Sequence, residues 1–337
     1  MPATPLKATW KKISEHESLK RSSHAVAAIG EDVYVFGGEL VARQPKDGDV
    51  HTFSLSPQAN GPKTLSSSSE SPVPRVGASI VALNNTLYVF GGRGGTSMSA
   101  LSESGGLWSF KPETSAWELV APADPSAPQP EPRSYHCATT DGQNTIFIHA
   151  GCPASGRLRD FWAFDVKSRM WKKLPEAPGS ERGGTSVCFA EGRVWRMGGF
   201  DGKVEIGGSL DSFEVQGGKW ETFEFSPDGV NGPGSRSVAA LLPVKVAGKL
   251  FLVTAFGEAD PSSLGHAGAG KMLKDVWAFD VEGKDWRKVD ADTGKDGEPL
   301  PRGWFGAGVV GESKVVVVGG LGEDNDRLGD AWSLEFQ

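Results

Sequence analysis

The chain has 337 residues, with 45 glycines, 22 prolines and 11 tryptophans, a formal net charge of −7, and no apolar run approaching the roughly 18 residues of a membrane span. An acidic balance excludes nucleic acid and anionic membranes as principal partners, because both demand a basic face. Abundant Gly and Pro without long apolar stretches predict an all-β chain of short strands joined by tight turns.

The N-terminal MPATPLKATW lacks the basic-then-apolar profile of a secretory leader, so the expected location is the cytosol. Its continuation ATWKKI resembles the WKKL at Trp171 and the WRKV at Trp286 but precedes any repeat of its own. The first repeat opens at Arg21 with HAVAAIGEDVYVFGG and DVHTFSL. LSSSSESP, around Ser66 to Ser69, stands where a Trp strand is expected and is read as a solvated surface loop. The second opens at Arg75 and runs through TLYVFGG and GLWSFKPETSAWELV. The third runs from Arg133 through TIFIHAG and DFWAFDV to Trp171, and the fourth from Arg182 through RVWRMGG and LDSFEV to Trp220. The fifth runs from Arg236 through KLFLVTAFG and DVWAFDV to Trp286; the sixth opens at Arg302 and reaches Gln337 through KVVVVGG and DAWSLEF without a Trp strand. Cys137, Cys152 and Cys188, odd in number and widely spaced, predict reduced and mostly buried thiols rather than a disulfide framework or metal clip.

A period of this length signals a propeller. Residues 1–337 are therefore expected to form a single Kelch-type β-propeller, its six blades opening near residues 21, 75, 133, 182, 236 and 302. Residues 8–13, carrying Trp10, should supply the missing fourth strand of blade six and close the ring, which removes two free sheet edges.

If the inner strand of each blade runs away from one channel mouth and the second returns to it, Arg21, Arg75, Arg133, Arg182, Arg236 and Arg302 encircle that mouth. Beside them fall the residues after each second strand: Glu39, Arg93, Cys152, Phe200, Glu258 and Leu321. The loops on this face are long and dissimilar, whereas the opposite turns are as short as GED and NNT, so function is expected here. Each ring arginine braces neighbouring loops or, for one or two of them, offers free donors to a ligand. Strand alternation puts Ser23, Gly77, Tyr135, Gly184, Val238 and Trp304 on the arginine side, an uneven and partly apolar pocket suited to a small organic molecule. Phe305 is counted with the ligand-binding residues. His24 and His136 each stand three residues after the Arg, and packing is expected for both. No GxSxG, HExxH or phosphate-cradling motif occurs.

RSSHAVAAIGEDVYVFGGE, TLYVFGGRGG, ERGGTSV and PRGWFGAG resemble segments of plant nitrile-specifier and epithiospecifier proteins across all six repeats. That resemblance implies a six-bladed Kelch propeller acting on an unstable sulfated thiohydroximate with ferrous iron on a Glu-x3-Asp-x3-His motif. Here Glu258 and His266 keep the overall separation, but Asp260 comes two residues after the Glu and Ser262 takes the expected ligand position. Arg93 and Trp304 fall where that family's pocket has an Arg and a Trp. The chain is also similar to fungal Kelch-like hetero-Diels-Alderases, which implies a cofactor-free union of a tropolone or phenolic quinone methide with a terpene alkene. On these resemblances we expect an enzyme of specialised metabolism with no cofactor, Arg93, Tyr135 and Trp304 carrying the chemistry. An Fe2+ site on Glu258, Asp260 and His266, and a non-catalytic interaction module, are the alternatives.

Overall fold

The structure, a computed structural model, describes residues 5–56, 58–66, 70–265 and 268–337. The described residues form short antiparallel strands and one 3-10 turn, Glu17–Leu19, and none of their helices is long and apolar enough to cross a membrane. Gly-rich turns and aromatic or β-branched runs leave little else for the backbone to do.

Each repeat is one blade. Blade three shows the plan, with Cys137–Thr140 innermost, then Thr145–Gly151, Leu158–Asp165 and Met170–Leu174 outermost. Blade six is completed from the other end of the chain: Leu6–Glu15 lies antiparallel to Asp330–Phe336, with Trp10 opposite Leu334. Its outer edge pairs in parallel with blade five, Leu6 opposite Val289 and Thr9 opposite Asp292, which joins blades five and six into one eight-stranded sheet. In blade one the fourth strand is only Lys63–Leu65, immediately before the serine run, of which residues 67–69 lie outside the described residues.

The core is divided among the six seams between blades. Apart from blade one's, the outer-strand Trp of each blade fills the seam toward the preceding blade: Trp117, Trp171 and Trp10 are buried there, with Trp220 and Trp286 packed against the same kind of cluster. Trp10 thus occupies the blade-six position of a repeated part. The seam between blades six and one has no Trp and is filled by Leu19, Val26, Phe53 and Val316.

At the axis the backbone departs from the expected strand. In blades two to six the regular inner strand begins four residues after the Arg, at Ser79, Cys137, Ser186, Ala240 and Gly306. The residue two past each Arg is left-handed, with φ of 56° at Ser23, 62° at Gly77, 51° at Tyr135, 61° at Gly184, 46° at Val238 and 58° at Trp304. This turn aims six N–H groups around the axis in one sense. Ser23 donates to the Trp304 carbonyl (2.8 Å), Gly77 to Ser23 (2.9 Å), Tyr135 to Gly77 (2.7 Å), Gly184 to Tyr135 (2.8 Å), Val238 to Gly184 (2.8 Å) and Trp304 to Val238 (3.2 Å). A closed collar of hydrogen bonds therefore crosses all six blades. Holding non-glycine residues in this region costs about 1–3 kcal/mol each, which the collar's bonds offset.

Candidate functional site at the channel mouth

The repeat's arginines build the mouth without lining it. None of the six is more than 3% exposed. Arg133 donates from Nε to the Glu131 carbonyl and from Nη1 to that of Ala150, and grips both oxygens of Asp160 at 2.6 and 2.8 Å; Asp160 also accepts the Trp162 indole N–H. Arg302 repeats this with Asp330 and Trp332, and Arg236 bonds one oxygen, Asp275 Oδ2, which also accepts the Trp277 indole N–H. Arg21 pairs with Asp47 and Arg75 with Glu103. Blade four has Ser209 where these blades have the Asp, and among the described residues no carboxylate lies in ion-pair range of Arg182. Its bonds go to the Ser180 and Gly198 carbonyls, and burial followed by the neighbouring Arg196 charge lowers its pKa to about 10. The expectation that one or two ring arginines offer free donors is therefore corrected: each guanidinium is buried and held between strands by carbonyls and, in all but Arg182, by a carboxylate.

The next ring does line the mouth. The residue after each Arg pairs with the residue after each second strand: Ser22 with Glu39, Val76 with Arg93, Ser134 with Cys152, Gly183 with Phe200, Ser237 with Glu258 and Gly303 with Leu321. Cys152, Phe200 and Glu258 face a cavity of about 110 Å3, together with Tyr135, Trp304, Val238, Arg157, Glu205 and Ser237. Glu39, Arg93 and Leu321 face a second, of about 20 Å3, with Arg43, Met98 and Arg327.

Tyr135 and Trp304 line both cavities and meet edge to face, centroids 5.3 Å apart. Tyr135 leans over Gly77, where a Cβ would sit 2.7 Å from its ring, and its hydroxyl bonds the Ser23 side chain. Trp304 hydrogen-bonds Glu258. The Arg93 guanidinium lies 5.3 Å from the Tyr135 ring centroid and donates from Nε to Ser134 Oγ (2.8 Å). The aromatic pair thus partitions the mouth into an acidic compartment and a guanidinium-rich one, where Arg327 bonds Glu39 (3.1 Å) and Ser22 (3.2 Å).

Phe305 is placed differently from the expectation. It lines a third cavity, of about 120 Å3, on the inner strands with His24, His136 and Thr185, and packs against Phe256 at 5.6 Å. Both histidines are buried packing groups. His24 donates from Nε2 to the Val318 carbonyl (3.0 Å), His136 Nε2 lies 2.8 Å from Ser79 Oγ, and burial with the adjacent arginine charge lowers each pKa to about 3.

Glu205, which sequence reasoning passed over, lines the acidic compartment with Glu258. It sits at the end of the short hairpin Phe200–Glu205, is 7% exposed, and has Ser237 Oγ 3.4 Å from Oε1. Among the described residues its Oε2 has no hydrogen-bond partner. Burial first, then the charge of Glu258, pushes its pKa up to about 7. Glu258 is raised too, by burial, against bonds from the Gly270 N–H (2.7 Å) and Trp304. The Glu258 charge beside this aromatic wall thus favours the protonated form of Glu205. Burial raises the Cys152 thiol and takes the Tyr135 hydroxyl to about 12, so both stay protonated and neither is a ready nucleophile. Arg157 stacks on Phe200 at 4.8 Å.

For the iron alternative, His266 lies outside the described residues. Among the described residues no three His, Cys, Asp or Glu side chains converge as a metal site, and one oxygen of Glu258 is engaged by Gly270.

The chain is 28% identical over 368 residues to an N-(sulfonatooxy)prop-2-enimidothioate sulfolyase of Thlaspi arvense, covering 98% of this chain and 97% of that protein. It is 23% identical to the Kelch-like protein terF of Aspergillus terreus, covering 94% of this chain and 65% of that one. Other relatives are longer, the chain spanning 32% of one and 50% of another. A solved structure described as the structure of YjhT superposes with a TM-score of 0.70 at 14% identity over 95% of each chain, a likeness of fold. Residues 23–254 match the model of the KLHDC2/KLHL20/DRC7 Kelch-repeats domain, and with that match, six blades and a repeated Gly-Gly strand end, the chain belongs to the Kelch-repeat family.

Proposed function

We propose that the chain is a cofactor-independent enzyme acting at this mouth on a compact oxygenated organic molecule, with Glu205 as hydrogen-bond or proton donor. One observation carries this: a buried carboxyl whose pKa is about 7 faces a cavity walled by Phe200, Tyr135 and Trp304. Near neutrality a large share of Glu205 is protonated, and an acid so placed can donate to a ligand oxygen where a carboxylate would repel it. The best-fitting reaction is the hetero-Diels-Alder addition of an alkene to a quinone methide. Donation to the quinone methide oxygen draws electron density from its exocyclic carbon. The alkene π bond and the quinone methide's C=O and exocyclic C=C π bonds are consumed as one C–C and one C–O σ bond and one ring C=C form, the ring regains aromaticity, and no atom leaves. The proton stays with Glu205 throughout. Aromatic walls hold the planar head, and holding both reactants replaces a bimolecular encounter. Similarity over nearly the whole chain to a named sulfolyase supports an enzymatic role.

The test is to generate an ortho-quinone methide in buffer with a simple vinyl ether and follow adduct formation by chiral chromatography. Active protein should exceed background and give unequal enantiomers, and Glu205→Gln should lower the catalysed rate at least tenfold. Racemic adduct at the background rate with wild-type protein would remove this reaction from consideration.

The same similarity supports a second reading, an iron-dependent specifier-like protein in which Glu258 is a ligand. Metal analysis of purified protein and product partition of an alkyl thiohydroximate O-sulfate, before and after chelation, separate the two.

A further inference from the structure

Exposed apolar side chains concentrate on the segments of the mouth face. Of the ten large hydrophobic residues that stand exposed among the described residues, seven lie on mouth-side segments: Leu40, Val41, Val73, Val204, Val230, Leu264 and Leu300. Leu40 and Val41 end the second strand of blade one, Val204 and Leu264 sit in the mouth loops of blades four and five, and Val73, Val230 and Leu300 precede the opening arginines of blades two, five and six. Isolated exposed hydrophobics need no explanation, but a set gathered on one face does.

Two of them are next in sequence to residues that line the acidic cavity. Val204, 58% exposed, immediately precedes Glu205, and Leu264, 72% exposed, immediately precedes Gly265, both successors being cavity-lining residues. Each is held out by its own turn rather than by packing. Asp201 Oδ1 accepts the Val204 N–H at 2.9 Å, and Ser262 Oγ accepts that of Leu264 at 3.1 Å. The cavity itself, at about 110 Å3, is smaller than the roughly 150 Å3 that encloses benzene in an engineered core, so even a single ring seated in it projects past the lining toward the rim and any substituent lies outside.

We propose that the substrate is an amphiphile: its oxygenated head occupies the cavity beside Glu205, and a hydrocarbon arm leaves past Val204 and Leu264 onto the apolar rim. This rests on the mouth being a small-molecule site. The rim then selects arm length, since each methylene removed from water tightens binding by up to about fourfold and a half-covered one by about twofold. An arm seated this way also explains why seven of the ten exposed residues lie on mouth-side segments.

The probes are phenol and its 4-alkyl homologues from ethyl to octyl, titrated by calorimetry into the full chain. Affinity should rise about two- to fourfold per methylene and then level off. Val204→Ser with Leu264→Ser should at least halve the slope, whereas Val215→Ser, an exposed apolar residue away from the mouth, should leave it unchanged. A flat or falling series in the wild type, or an unaltered slope in the double variant, would overturn the amphiphile assignment while phenol binding kept the pocket. Failure of phenol and every homologue to bind would overturn the pocket as well.

Discussion

Removing the Trp10 side chain tests ring closure at a single residue. Trp10 is 4% exposed, lies 5.7 Å from the Phe256 ring, and shares a cluster with Val253, Val317 and Trp332, so it binds the seam between blades five and six. Trp10→Ala should cost about 3–5 kcal/mol, the usual range for truncating a buried Trp. For 337 residues, an unfolding entropy of about 2.1 cal/mol/K per residue gives about 0.7 kcal/mol/K, so the melting temperature should fall by about 4–7 °C. Trp117→Ala, the same position in blade two, should fall by a similar amount. Deleting residues through Ile13 should cost more, because it also bares the edges of Asp330–Phe336 and Asp285–Asp292 and invites aggregation. Differential scanning calorimetry reads all three. A Trp10→Ala change below about 1 °C, or a truncated chain that melts like the full one, would refute a stabilising role for the closing strand.

Arg133→Met should lower stability by about 3 kcal/mol in denaturant unfolding, because it strands Asp160, whereas Arg93→Met should weaken ligand binding with little change in the melt. His24 and His136 are held neutral at a pKa of about 3, against 6.5 when unfolded, so the unfolded chain binds more protons between those values. Their contribution is therefore present above pH 6.5 and lost as pH falls toward 3; His136→Gln should flatten the acid limb of a stability–pH curve, and an unchanged limb would contradict the assignment. Glu205 has the opposite sign for a carboxyl: its raised pKa makes the chain lose stability as pH rises from about 4.5 to 7, and Glu205→Gln should make that decline shallower, leaving the share of Glu258. Turnover by the proposed acid should fall as pH climbs through 7.

Much of the fold was legible because the repeat writes the same physics six times. The Gly-Gly pairs mark strand ends where φ is positive at both positions, as at Gly91 (61°) and Gly92 (98°), and ATWKKI carried the fourth-strand Trp to the far end of the chain. The arginine partners were also in plain view. DFW, DVW and DAW each put an Asp two residues before the Trp it binds, and a ring of arginines with a carboxylate repeated in register reads as bracing rather than as donors. The collar was not legible, since alternation assumes an extended strand and says nothing of a left-handed residue at Tyr135, Val238 or Trp304. Counting one residue past each second strand reached Cys152, Phe200 and Glu258. It missed Glu205, which returns to the mouth only because Phe200–Glu205 folds back as a hairpin.

The central claim is that a carboxyl at the mouth keeps its proton near neutrality. A carbon-13 NMR titration of the glutamate side-chain carboxyls measures this directly, in the wild type and in Glu205→Gln. One carboxyl should titrate near pH 7, be absent from the variant, and lose its proton at higher pH still when a phenolic ligand occupies the cavity. If every glutamate titrates below about 5.5, within the ordinary range for exposed carboxyls, Glu205 is no acid at neutral pH and the proposed chemistry of the mouth is wrong.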